Sequence, residues 1–156
     1  SPATVFHDGA VTGLGMISPK IFEEYYLPYT KKYAGILHKA GKLYTNHTSG
    51  EPIGNILNMI RESGIDGLYG LTYPPAVDTM ISEVRDKFAG KLAVMGGMPS
   101  DFIATKTPGE VQEKAEEVLK DAAPGGHFML GTVDDTPYGT PPENLKAVSE
   151  VVQHMG

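Results

Sequence analysis

The residues with the capacity for chemistry fall just after short apolar runs. His47 stands in Asn46-His-Thr-Ser-Gly-Glu51, and Asp134-Asp135 precedes a turn rich in Pro and Gly. An imidazole changes charge near neutral pH and also ligates metals. A carboxylate serves as a metal ligand or a general base. His47, Asp134 and Asp8 are therefore the candidate catalytic residues. Glu51, Tyr73 and Ser49, from the same strand-end segments, are the candidate substrate contacts. Each also has a plainer structural use. His47 and Asp134 could cap their own loops, and Asp8 could cap the loop before Ser18. Glu51 suits the first turn of a helix, where the macrodipole favours an acid, and Tyr73-Pro74-Pro75 could simply stiffen a turn. His38, His127 and His154 read as surface residues without partners, and Tyr25, Tyr26, Tyr29 and Tyr33 as helix packing.

The elements that must position these groups follow a regular rhythm. Apolar runs at Ala3–Phe6, Lys42–Tyr44, Gly67–Leu71, Leu92–Met95 and Phe128–Leu130 have the brevity of buried parallel strands. Amphipathic helices fill the intervals. Ser18-Pro19 opens the first, with Pro at a position whose N–H is unused, and Pro28 predicts a kink. Pro52 opens the second, which carries Ile53, Ile56, Leu57 and Ile60. The third runs from Asp78 to Phe88. Thr107-Pro-Gly-Glu110 and Thr140-Pro-Pro-Glu143 both fit a capping box. Strand then helix, repeated five times, predicts an α/β fold of parallel strand–helix units in a single domain spanning 1–156. Two architectures satisfy this, an open doubly wound sheet or part of an eight-stranded (β/α) barrel. In both, ligands bind beyond the carboxyl ends of the strands, where the polar residues gather.

Composition narrows the function. The 156 residues are 40% apolar, carry a net charge of −6 with the signs interspersed, and include no cysteine. A nucleic-acid or anionic-membrane surface needs clustered positive charge, so neither is an expected partner. Cysteine chemistry is excluded. No run approaches the ~20 apolar residues of a membrane span, and the first residues lack a signal-peptide pattern. The expected location is the cytoplasm. Phosphate-loop, dinucleotide and nucleophile-elbow motifs are missing.

Several segments, in order, resemble the uroporphyrinogen decarboxylase superfamily. They are Ile17-Ser-Pro-Lys-Ile-Phe22 with Tyr26-Leu-Pro-Tyr29, Leu43-Tyr-Thr-Asn-His-Thr-Ser-Gly50, Glu62-Ser-Gly-Ile-Asp-Gly67, Val94-Met-Gly-Gly97, Thr107-Pro-Gly-Glu110 and Gly139-Thr-Pro-Pro-Glu-Asn144. The superfamily includes the decarboxylase of haem biosynthesis and zinc-dependent methyltransferases that act with corrinoid proteins. The resemblance implies a (β/α)8 barrel of which this sequence is the C-terminal half. It implies an enzyme, with methyl transfer to or from a corrinoid protein as the first expectation and uroporphyrinogen decarboxylation as the second. A non-catalytic binding or assembly domain is a third reading.

The methyltransferases of this kind bind zinc through His-x-Cys and a later Cys. Here His47 keeps the histidine, while Ser49 and Asp134 stand where the cysteines would be. The implied metal ligands are therefore His47 and Asp134, with Glu51 or a residue outside this sequence as the third. The expected partners are a small-molecule substrate, a corrinoid protein, and either an N-terminal half or a second copy covering the open sheet.

Overall fold

A five-stranded parallel sheet needs side chains that suit two different faces, and the strands here alternate accordingly. The computed structural model describes residues 2–11, 13–15 and 17–155, with residues 10 and 11 by backbone only. It contains β1 (Val5–Val11), β2 (Leu43–His47), β3 (Gly67–Leu71), β4 (Ala93–Met98) and β5 (Phe128–Thr132). All pair in parallel, in sequence order. Helices follow each strand, namely α1 (Pro19–Ile21) and α2 (Leu27–Lys39), α3 (Leu57–Ser63), α4 (Ile81–Lys87), α5 (Ser100–Thr105) and α6 (Pro108–Ala122), and α7 (Pro142–Met155). The chain is thus five consecutive strand–helix units of a partial barrel.

Register assigns each side chain to a face, because successive strand residues point to opposite sides. Tyr44, Asn46, Leu68 and Val94 turn to the helices and are buried. Val5, Leu43 and Met129 turn to the barrel axis and remain 48%, 49% and 62% exposed. The apolar runs are therefore not buried on both sides, as fully covered strands would be. Five strands cover one side of a barrel and leave the axis face open. An apolar hollow of about 450 Å³ lies there, lined among others by Val5, His7, Thr45, Tyr69, Met95 and Met129. It is on the strand-start side, the part of such a barrel that side-chain layers normally fill.

The helix layer is held by an apolar core and by a few buried polar clamps. On α6, Val111, Ala115, Val118 and Ala122 recur at spacings of four, three and four, and all are fully buried. Burying each valine contributes about 1.5–3 kcal/mol. Thr107 and Glu110 form the expected capping box at its start. Tyr73, just past β3, donates its hydroxyl to Asp121 on α6 at 2.9 Å, and the Ser82 hydroxyl donates to the same carboxylate at 2.6 Å. Asp121 so ties β3, α4 and α6 together.

The irregularity expected at Pro28 takes the form of a π-helical turn, Phe22–Tyr26, just before it, and three other local expectations are corrected. Pro28 has no N–H to donate to the preceding turn, and a widened turn accommodates the lost bond. Along this segment Ile21, Tyr25, Tyr29, Tyr33 and Ile36 face outward while Phe22, Leu27 and Ala34 pack inward. The second helix starts later than Pro52, with a 3-10 turn at Gly54–Ile56 leading into α3. Asp78 fixes that turn by accepting the N–H groups of Ile53 and Gly54, both at 3.1 Å. Thr140 makes no capping bond to α7, since its hydroxyl donates back to the Pro137 carbonyl at 2.7 Å. His38 and His154 do have partners, the Asp66 carboxylate at 2.9 Å and the Glu150 carbonyl at 2.7 Å.

Asp121→Ala removes one acceptor and leaves the Tyr73 and Ser82 hydroxyls unpaired. Urea unfolding is expected to show a loss of about 1–3 kcal/mol. A change below about 0.5 kcal/mol, the scale of an ordinary surface substitution, would show that the clamp is not structural.

Candidate active site

Three adjoining strands bring three rings together at the axis face. His47 closes β2 directly opposite Tyr69 on β3. Their rings stack with centroids 4.6 Å apart and planes 25° from parallel. His7 on β1 lies 5.9 Å from each ring, tilted against His47 and edge-on to Tyr69. A hydrogen bond of 2.9 Å between His7 Nδ1 and the Thr45 hydroxyl fixes the third ring.

The backbone closes around His47 as well. Its Nε2 lies 3.4 Å from the Val133 carbonyl and 3.4 Å from the Ser49 hydroxyl. A carbonyl only accepts, so this long contact suits the tautomer with the proton on Nε2. In the neutral ring Nδ1 then carries the lone pair, and among the described residues it has no hydrogen bond. Gly70 makes the arrangement possible. Its φ of 87° suits glycine. A Cβ there would stand 2.7 Å from the Val133 oxygen, 2.8 Å from the His47 ring and 2.9 Å from the Ser49 nitrogen.

The remaining sequence candidates occupy other places. Asp134 does not turn its carboxylate to His47; it is exposed and accepts the N–H of Asp135 at 2.9 Å. A short side chain directly before a turn caps that turn most readily, and the β5 end reaches His47 through Val133 instead. Asp8 is not past the end of β1, because the strand continues to Val11. Mid-strand alternation sends it to the helix face, opposite Asn46, where it accepts the Tyr44 hydroxyl at 2.8 Å. Burial and that bond push the Tyr44 phenol well above its usual range. Tyr73 is buried against α6, and burial with the Asp121 bond raises it too. With Pro74, Pro75 and Phe102 it lines an outer groove rather than the axis face.

Glu51 lies under the β1–α1 loop, so close that a Cβ on Gly13 or Gly15 would overlap it. Its Oε2 is buried without a hydrogen bond. Ser49 alone among the substrate candidates joins His47. His7 and Tyr69, which sequence reasoning left out of the site, complete the cluster. The signal for them was present, since Val5/His7, Thr45/His47 and Gly67/Tyr69 are alternate residues of three adjoining strands.

A zinc ion of the kind the resemblance implies does not fit this donor set. Catalytic zinc takes three protein ligands, and among the described residues no three His, Cys, Asp or Glu gather around one point. The Asp134 carboxylate is committed to its own turn.

Electrostatics separate the two imidazoles. Burial is the main cause lowering the His7 pKa below its ordinary 6.5, His47 adds to the shift, and Asp8 opposes it. The unfolded chain thus binds this proton more readily than the folded one, and stability from this group falls as pH drops below about 6.5. In an NMR titration His7 is expected to protonate below 6.5, and His47→Asn to move its midpoint upward. An unchanged midpoint would contradict the coupling.

Known proteins agree with this architecture. The family model described as Uroporphyrinogen decarboxylase (URO-D) matches residues 3–155. Uroporphyrinogen decarboxylases of Geobacter metallireducens and Trichlorobacter lovleyi are 30% and 28% identical over 149 residues, 90% of this chain. The chain spans 39% of the length of each. A methyltransferase from Methanosarcina mazei shares the fold with a TM-score of 0.71 at 18% identity, over 96% of this chain and 41% of that one. No helix among the described residues is long and apolar enough to cross a membrane. By sequence match along nearly its whole length, and by its partial (β/α) barrel, the chain belongs to the uroporphyrinogen decarboxylase family.

Proposed function

We propose that this chain supplies part of the active site of a carboxy-lyase that works by proton transfer at His47. The observation that supports it most is the oriented imidazole, with Nε2 directed at Val133 and Ser49 and Nδ1 left unbonded. In its imidazolium form such a ring carries its second proton at Nδ1, where a general acid can give it up. The substrate class, uroporphyrinogen, is taken from the names of the related decarboxylases. In this reaction the bond between the substrate carbon and its carboxylate breaks and carbon dioxide leaves. The electron pair stays with the carbon skeleton, and a proton from His47 Nδ1 completes the new C–H bond. Ser49 and the Val133 carbonyl hold the ring, and Tyr69 fixes its plane.

The second reading is methyl transfer with a corrinoid protein. It draws on His47 and Ser49, whose nitrogen and oxygen lie 3.4 Å apart at the end of β2, although the described residues do not by themselves complete a zinc site. Binding or assembly without turnover lacks a specific observation in its favour.

His47→Gln keeps a polar side chain of similar size and removes the imidazole nitrogen that would carry the proton. Uroporphyrinogen decarboxylation, followed by chromatographic counting of product carboxylates, is expected to fall by about 10²- to 10⁴-fold. Wild-type turnover in His47→Gln would overturn the acid role. Methylation of a free corrinoid, lost in His47→Gln, would favour the second reading.

A further inference from the structure

We infer that the Tyr69 hydroxyl is a substrate contact, donating a hydrogen bond to a carboxylate that the reaction leaves in place. This rests on the carboxy-lyase reading and names how this side of the site grips its substrate.

The tyrosines that lie in and behind the sheet show why. Tyr44 spends its hydroxyl on Asp8, Tyr73 on Asp121, and Tyr26 receives the Asn46 amide at 3.0 Å. All three hydroxyls lie on the helix side of the sheet. Tyr69 points to the axis, stacked on His47, and its hydroxyl has no hydrogen bond among the described residues. Nor is it a buried orphan, since it is absent from the buried atoms lacking partners. A half-buried phenol with an unused donor, held flat against the proposed acid, is placed to meet the substrate that the acid protonates.

The surroundings decide what it meets. The hollow that borders Tyr69 on the strand-start side is lined by no Lys, Arg, Asp or Glu, so among the described residues no charged side chain there competes for the hydroxyl. His7 has its Nδ1 engaged by Thr45, while the Tyr69 phenol, stacked on His47, keeps its donor unspent among the described residues. A hydrogen bond to a charged group is worth more than a neutral one. The contact holds equally in ground and transition states, so its loss raises KM and leaves kcat nearly unchanged.

Tyr69→Phe keeps the stacked ring and removes the hydroxyl; Tyr69→Leu removes both. With uroporphyrinogen as the probe, Tyr69→Phe is expected to raise KM about 10- to 100-fold, with kcat within twofold and the His47 ring NMR signals unmoved. Tyr69→Leu is expected to shift those signals and lower kcat as well. A Tyr69→Phe protein with wild-type KM, beside an inactive His47→Gln, would overturn the contact and leave the carboxy-lyase reading intact. So would a Tyr69→Phe protein whose loss comes with the same His47 shifts as Tyr69→Leu, since the role would then be packing. A wild-type protein without uroporphyrinogen turnover removes the reading and the contact together.

Discussion

The parallel register of β2 on β3 is the constraint from which the site follows. Placing His47 opposite Tyr69 puts an imidazole and a phenol on one face at one height. One residue of slip would turn His47 toward the helices and Asn46 toward the axis. The neighbouring backbone reinforces the register. The Thr48 N–H donates to the Tyr69 carbonyl and the Gly50 N–H to the Gly70 carbonyl, at 2.8 and 2.7 Å. These bonds carry the sheet ladder into the loop that bears Ser49. The left-handed backbone of Gly70 then brings Val133 close enough to meet His47. The site is thus assembled chiefly by main chain, which explains how it orients a ring without a carboxylate beside it.

The helix face works differently. There the polar groups are consumed in holding units together. Asp8 accepts from Tyr44, Asp121 gathers Tyr73 and Ser82, and Asp78 starts the turn before α3. Asn144, nearly fully buried, donates to the carbonyls of Ile103 and Lys106 and so ties α7 to α5. Residue type alone does not separate the two uses, because a carboxylate beside a tyrosine reads the same on either face. What separates them is the strand phase.

That distinction marks how far the sequence was readable. Five strand–helix units, their order and their polar strand ends follow from the apolar runs and the helix-start signals, and the structure has them all. His47 and Ser49 follow from their place after β2. Asp8 lies on the helix face because β1 extends from Val5 to Val11, so mid-strand alternation and not the strand end sets its direction. Tyr73 gives its hydroxyl to Asp121 and lines an outer groove with Pro74 and Pro75, away from the axis face. Asp134 illustrates a competition that spacing does not resolve, between a distant partner and the N–H of the next residue. Local geometry won.

The central claim is that chemistry at this site runs on the His47 imidazole without a metal. The most direct test is uroporphyrinogen decarboxylation by protein stripped with a strong chelator, measured before and after zinc is added back. Equal rates for untreated, stripped and zinc-restored protein are predicted, because among the described residues no three ligating side chains converge. Activity that disappears on chelation and returns with zinc would contradict the account.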